Sequence, residues 1–444
     1  MLSALAIVFL VVVCTADDYP FRNTSLSFEA RVADLVERLN ISEIAGQMSH
    51  GGARKNSPTP AIERLGIKPY QFGTECLSGD VGAGAATSFP QALGMAASFD
   101  YDLVYRVTEA TSKEVRAKNN NATALGDYSF HTGLSCWSPV VNIMRDPRWG
   151  RNQETFGECP YLSGQMKRVV VLDDHRYVRA NAGCKHFDVH GGPEDVPVSR
   201  FSFDSKVSDR DWRMTFLPQF EACVMAGSYS LMCSFNSIQG VPACANSKLL
   251  TEILRNEWNF EGYVVSDQGA LENIMTQHNY TQDPVHTAAA AVNAGTCLED
   301  GNDENTTFSH LEEAYNQKLV NESTLRDCAS RLFMTRMVLG EFDPPEMNPY
   351  SKLDVSIIQS REHQDLARFA AGKSFVLLKN EKNVLPLREH SLDQMTILGP
   401  FANDSRLLFG DYSPTIMENF VTTPLAGLTY SMIARRLRMR HLRC

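Results

Sequence analysis

No apolar run after residue 16 approaches 18 residues, so nothing beyond that point is long enough to cross a bilayer as a helix. There is no C-x-x-C pair, which leaves zinc ligation by closely spaced cysteines without its usual signature. No G-x-G-x-x-G follows the first strand pattern, so the dinucleotide fingerprint is missing as well. Positive charge is in deficit: 42 Lys and Arg stand against 52 Asp and Glu, a net charge of −10. That balance argues against a nucleic-acid footprint and, more weakly, against anionic membranes. The remaining composition, 43% hydrophobic and 21% charged, is that of a folded soluble protein.

Charge is also absent from residues 1–16, MLSALAIVFLVVVCTA, where the apolar run Leu2–Val13 suits the core of a signal peptide cut after Ala16. Export fits two further features. Asn-x-Ser/Thr acceptors begin at Asn23, Asn40, Asn121, Asn279, Asn305, Asn321 and Asn403, more than chance placement suggests. Ten cysteines follow residue 16, an even number compatible with disulfides in an oxidising compartment. Cys233 and Cys244 flank the turn-like FNSIQGVPA and form the local pair to test first. The expected location is extracellular.

At 444 residues the chain exceeds one ordinary core. Between about residues 60 and 340 short apolar segments alternate with helical patterns. Strand candidates are SPVVNI (138–143), NAGCKHF (181–187), YSLMCSF (229–235), GYVVS (262–266) and AVNAG (291–295). Helix candidates between them include 210–226 and 247–259, and 310–340 is expected to split near Val320–Ser323. Such repeated units predict an α/β fold, a TIM-like (β/α)8 barrel over 17–340. The Pro-rich 341–365 reads as a linker, and 366–444 as a partial α/β sandwich domain. Five arginines between Arg435 and Cys444 break with the acidic character of the chain, as at an abrupt or altered terminus.

Loops after the strand C-termini of a parallel barrel converge on one face, where active sites form. The polar residues expected there are Glu75, Arg151, Glu154, Lys185, His186, Asn236 and Asp267. Carboxylates with Lys, Arg and His supply the directional donors and acceptors that sugar hydroxyls need. Asp267 has a plainer reading as the cap of a helix over ALENI. Arg145, Asp146 and Arg148 are expected in surface ion pairs. His186 and His190, four apart, have no third partner at ligand spacing, so neither metal nor cofactor is expected.

Together VVSDQGALENI, KHF, RDPRWGRNQETFGECPYLSG and MCSFNSIQGVPACAN resemble glycoside hydrolase family 3, and TECLSGD tilts the likeness toward its β-xylosidase/α-arabinofuranosidase branch. The likeness runs from about Glu29 to Phe401. It implies a retaining, exo-acting β-glycosidase with Asp267 as nucleophile and Glu75, Arg151, Lys185, His186, Met232 and Phe235 as substrate-binding residues. The implied partner is an oligosaccharide or aryl glycoside, most simply a β-xyloside. The implied alternatives are a β-glucosidase, an α-arabinofuranosidase, or a catalytically impaired carbohydrate-binding homologue.

Three positions depart from the family pattern: Phe235 replaces a tyrosine that would hydrogen-bond the nucleophile, Ser78 a histidine, and Gln268 an aromatic or small residue. The family's general acid/base lies some way past the nucleophile in a second domain. Glu418 and Asp411 are the carboxylates present in that part, and neither matches the role. Without such help, worth typically about 10²–10⁴-fold, a product of this length is expected to be a weak catalyst.

Overall fold

The computed structural model describes residues 19–434 apart from 51–57, 83, 167–175, 302–305, 388–394 and 411. The expected leader, Asn305, Asp411 and the arginine-rich end lie outside the described residues.

Five strands form one parallel sheet in the order β1-β2-β3-β5-β8. They are β1 (Gly73–Thr74), β2 (Ser135–Cys136), β3 (Asn181–Phe187), β5 (Ser230–Cys233) and β8 (Tyr263–Ser266). A bridge from Val265 to Leu298 adds one further extended segment. Three short strands, β4 (Asp204–Ser205), β6 (Ser237–Ile238) and β7 (Val241–Pro242), make a separate small sheet. Helices cover the parallel sheet, so its strands are buried throughout, and Val264, Val265, Leu231 and Phe187 are fully enclosed. A polar layer crosses the sheet at the strand N-termini. There Asn181 donates to Ser135 at 3.1 Å and to Ser230 at 2.9 Å, while Tyr263 donates to Ser135 at 3.0 Å.

The α/β class and parallel sheet hold, but the ladder among the described residues is a curled half-barrel rather than eight paired strands. Two strand expectations change. SPVVNI pairs with β3 through Val140 alone in bridge geometry, with Pro139 and Ser138 carbonyls taking the Lys185 and Gly183 amides. AVNAG is the end of a helix, Pro284–Ala294, capped by the Asp283 side chain and closed by left-handed Gly295. The alanine run before it favours helix, and the extended segment begins only at Thr296. The split of 310–340 is observed as helices Leu311–Asn316 and Glu322–Val338.

Beyond Gly340 the chain lies on the barrel instead of leaving it. Phe342 and Tyr350 are buried, and helix Arg361–Ser374 seats Leu366 and Ala370 against Met95, Val107 and Phe156. His363 and Gln359 both contact Glu114 of the long helix Tyr101–Leu125. From Phe375 onward the described residues form short helical turns and one helix, Pro424–Ala434, with no strand. Phe375, Leu378 and Leu398 are exposed. The sheet of the expected sandwich is therefore not formed by these residues. A few apolar segments without paired partners do not make a stable sheet.

Four disulfides join Cys76–Cys136, Cys184–Cys223, Cys233–Cys244 and Cys297–Cys328. The predicted local pair is among them. Asn23, Asn40, Asn121, Asn279, Asn321 and Asn403 are all exposed.

Candidate active site

Parallel pairing brings four strand ends to one edge. Glu75 follows β1, Lys185 and His186 end β3, Met232 lies on β5, and Asp267 follows β8. Each side chain thus departs from a buried strand rather than from a mobile loop. The Asp267 amide donates to the Cys233 carbonyl at 3.0 Å, which ties the β8 end to β5.

The helix-cap reading of Asp267 does not hold. Gly269, with φ +80°, occupies the cap position of helix Ala270–Thr276, and no side chain caps it. Asp267 Oδ1 accepts from the Gln268 amide at 2.9 Å. Its Oδ2 is buried, has no hydrogen-bond donor, and lies 3.6 Å from His186 Nε2. Burial raises the Asp267 pKa, with Arg151 and Lys185 pulling the other way.

Around this carboxylate the charges are paired. Lys185 Nζ donates to both Glu75 oxygens, at 2.7 and 2.8 Å. Burial still dominates at Glu75 and pushes its carboxyl up to about 7. Arg151 forks onto Glu154 at 2.8 and 2.6 Å and donates to His186 Nε2 at 3.1 Å. Since arginine only donates, His186 Nε2 accepts, and the ring proton belongs on Nδ1. Burial and then Arg151 hold His186 well below the usual histidine range, so the imidazole is neutral. Asn142 fixes the His186 backbone from both sides, accepting its amide at 2.6 Å and donating to its carbonyl at 2.8 Å.

Phe235 packs in an aromatic wall, 4.8 Å from the Phe201 ring centroid and 6.4 Å from that of His190. The His190 ring in turn stands 5.1 Å from His186. Met232 is buried in the sheet beside Val265. Arg148 and Asp146 form an exposed ion pair away from the cluster, at 2.7 Å. Asn236 supports His190 at 3.2 Å rather than facing Asp267. Among the described residues no group of three His, Cys, Asp or Glu side chains is arranged to hold a metal ion.

Two neighbours escaped the sequence reading. Tyr412 comes from the C-terminal segment and roofs the cluster, its ring 4.8 Å from Lys185 Nζ and 5.5 Å from the Arg151 guanidinium. Nothing in its local sequence signals that reach. Asp188, one residue past β3, is fully buried with Trp212 Nε1 donating to it at 2.7 Å, and burial pushes it up to about 8. Its position after KHF was the available signal. Glu418 is exposed on a short turn. Chemically, the cluster offers one buried carboxylate oxygen without a hydrogen-bond donor, next to a buried cation–carboxylate pair.

Residues 55–334 match the glycosyl hydrolase family 3 N-terminal domain. A xylan 1,4-beta-xylosidase of Xylanibacter ruminicola is 37% identical over 422 residues, 93% of this chain and 47% of that protein. Among solved structures, a GH3 exo-beta-xylosidase in complex with a xylobiose aziridine activity-based probe superposes with a TM-score of 0.83 at 28% identity. The match covers 95% of this chain and 53% of that one. A β-glucosidase from Erythrobacter marinus gives 0.80 at 31% identity, over 95% and 59%. The chain spans about half the length of the curated relatives it matches.

Proposed function

Because the chain belongs to glycosyl hydrolase family 3, we propose that the protein is a retaining β-glycosidase that removes single sugars from chain ends, with Asp267 as its nucleophile. The observation that carries this reading is the buried Asp267 Oδ2, left without a donor beside the Arg151–His186 and Lys185–Glu75 pairs. In the first step Oδ2 bonds to the anomeric carbon as the bond to the leaving oxygen breaks, giving a covalent glycosyl-enzyme. The leaving oxygen takes its proton from solvent; water then displaces Asp267 with a second inversion and gives its proton to solvent, so the anomeric configuration is retained overall. Lys185 and Glu75 bind sugar hydroxyls as donor and acceptor. Burial, with Arg151 adding to it, keeps His186 neutral, so its nearness to Asp267 adds no full charge that would tie up the nucleophile.

A β-xyloside is the favoured substrate, supported by the relative named a xylosidase and by the structure bound to a xylobiose probe. A β-glucoside is the second reading, supported by the Erythrobacter marinus enzyme. The test uses a 2-deoxy-2-fluoro-xylosyl donor with a dinitrophenyl leaving group, which departs without acid help. Intact mass should show one xylosyl adduct, lost in Asp267→Asn. No adduct from xylosyl or glucosyl donors overturns the catalytic reading, and a glucosyl adduct alone selects the second. We also place the protein in the secretory pathway, supported by the disulfides and exposed acceptor asparagines. A mass decrease on glycosidase treatment of material secreted from a eukaryotic host checks that placement.

A further inference from the structure

The opposite end of the sheet holds a cavity of about 490 Å³. Its wall includes Tyr70 and Gln71 just before β1, Leu134 just before β2, Asn119 and Thr123 from the end of the long helix, and Tyr128 from the loop after it. These positions precede strands or end helices, so the cavity lies at the N-terminal face, away from Asp267. That face of a barrel ordinarily serves stability alone. The volume far exceeds the roughly 30 Å³ share of one water and lies within the range of ligand sites.

The polar groups on the wall divide into two kinds. Several charged groups of the wall are satisfied by the protein itself. Arg116 donates to the carbonyls of Val178, Arg179 and Leu339, Glu341 is held by Arg336, and Asp343 by Arg31 and Tyr177. Two neutral groups are not, although Asn119 and Asn120 donate to backbone carbonyls. Both side-chain polar atoms of Gln71, which is 3% exposed, lack a partner, and so does the hydroxyl of Tyr70 at 8%. Arg22 leaves its Nε unpaired while its Nη2 is taken by the carbonyls of Leu65 and Gly66. Leaving a buried amide and hydroxyl unsatisfied costs about 1–3 kcal/mol each, which a ligand with matching groups recovers. The wall sets Arg22, Lys68 and Arg116 against Asp127, Glu341 and Asp343, so no net charge there favours an anion. A neutral molecule with several hydroxyls meets an amide, a phenol and the half-buried Tyr128 ring, the combination that sugars use.

We propose that this cavity is a second, non-catalytic carbohydrate site that binds a neutral oligosaccharide through Gln71 and Tyr70 at the end of the sheet opposite Asp267. It goes beyond the catalytic reading and rests on it only for the choice of xylo-oligosaccharides as first probes. The experiment is hydrogen–deuterium exchange by mass spectrometry on the full chain carrying Asp267→Asn, with xylotetraose, cellotetraose and inorganic phosphate as separate probes. A neutral tetrasaccharide should slow exchange in peptides covering 66–72 and 119–128. Gln71→Leu should weaken that protection about tenfold, the size of one or two lost hydrogen bonds. The rim variant Tyr128→Ala gives a second reading should Gln71→Leu fail to fold. In the wild-type background neither variant should alter labelling of Asp267 by the fluorinated donor. Absence of protection by both tetrasaccharides at millimolar concentration overturns the proposal, as does protection by phosphate alone or protection unchanged in both variants. Protection without Asp267 labelling would leave this site standing and remove the catalytic reading, and the reverse result would do the opposite.

Discussion

The two ends of the same parallel sheet handle buried charge differently. At the N-terminal end Arg31, Arg116 and Arg336 are locked to carboxylates and carbonyls of the segment that follows the last barrel helix. Their role is to fasten Leu339–Asp343 under the barrel. At the C-terminal end Lys185 pairs with Glu75 across strand ends, Arg151 pairs with Glu154 and donates to neutral His186, and one Asp267 oxygen has no donor. The first arrangement consumes most of the hydrogen-bonding capacity of its charges, Arg31 Nη1 excepted. The second retains some for a ligand, at the cost of raised carboxyl pKa values. Both ends bury charge, so what separates a structural network from a candidate site is the state of its partners.

Breaking a buried pair is the strongest test of this difference. Arg31 and Asp343 are both fully enclosed, and Arg31→Met leaves Asp343 only Tyr177. Loss of one partner from such a pair costs about 3–5 kcal/mol, to be read from urea unfolding. Lys185→Met should cost less at pH 6, because Glu75, already pushed up to about 7, can take a proton and become neutral. Its penalty should grow by pH 8, where keeping that proton is expensive. Equal penalties at both pH values would mean that the two ends are built alike.

The effect on binding should be inverted. Arg31→Met should leave labelling of Asp267 unchanged once the chain is folded, whereas Lys185→Met removes a charged donor from the sugar. Hydrogen bonds to charged groups contribute about 1.5–3 kcal/mol, or roughly 10–150-fold in labelling efficiency. Glu75→Gln should fall within the same range, since the amide keeps the shape and loses the charge.

Much of the upper end was legible because strand and site coincide in short stretches. In NAGCKHF and GYVVS a buried run passes straight into Lys185-His186 and Asp267, so periodicity and chemistry point to one place. Pairing of Cys233 with Cys244 was legible for the same reason, a tight turn between them. The alanine-rich 287–294 was not, since a five-residue apolar run looks alike in helix and strand until its cap at Asp283 is counted. Tyr412 and Gln71 carried no local signal: one acts through a contact distant in sequence, the other through partners it lacks.

A pH series separates the ends more finely. Asp188 is raised by burial to about 8 from an unfolded value of 3.8. Between those values the folded state holds a proton that the unfolded state has lost. Its contribution to stability is therefore complete below 3.8 and is lost as pH rises toward about 8, by up to about 1.4 kcal/mol per pH unit. Asp188→Asn keeps an acceptor for Trp212 and should flatten that part of the slope. Glu75 and Glu299, raised to about 7 and about 8, would supply the slope that persists. An unchanged slope in Asp188→Asn would assign the titration to those two instead.

The smallest expected effect concerns Tyr412, through which the C-terminal segment reaches the upper end. Its ring faces Lys185 and Arg151 at 4.8 and 5.5 Å, and a cation over an aromatic face contributes about 0.5–2 kcal/mol. Tyr412→Ala should thus slow labelling of Asp267 by no more than about tenfold and lower stability by less than Arg31→Met does. Tyr412→Phe keeps the face and should retain most of both. If the phenylalanine variant instead falls as far as the alanine one, the hydroxyl is the group that matters. Tyr412 would then rank as a hydrogen-bonding partner of the ligand rather than a lid over two cations.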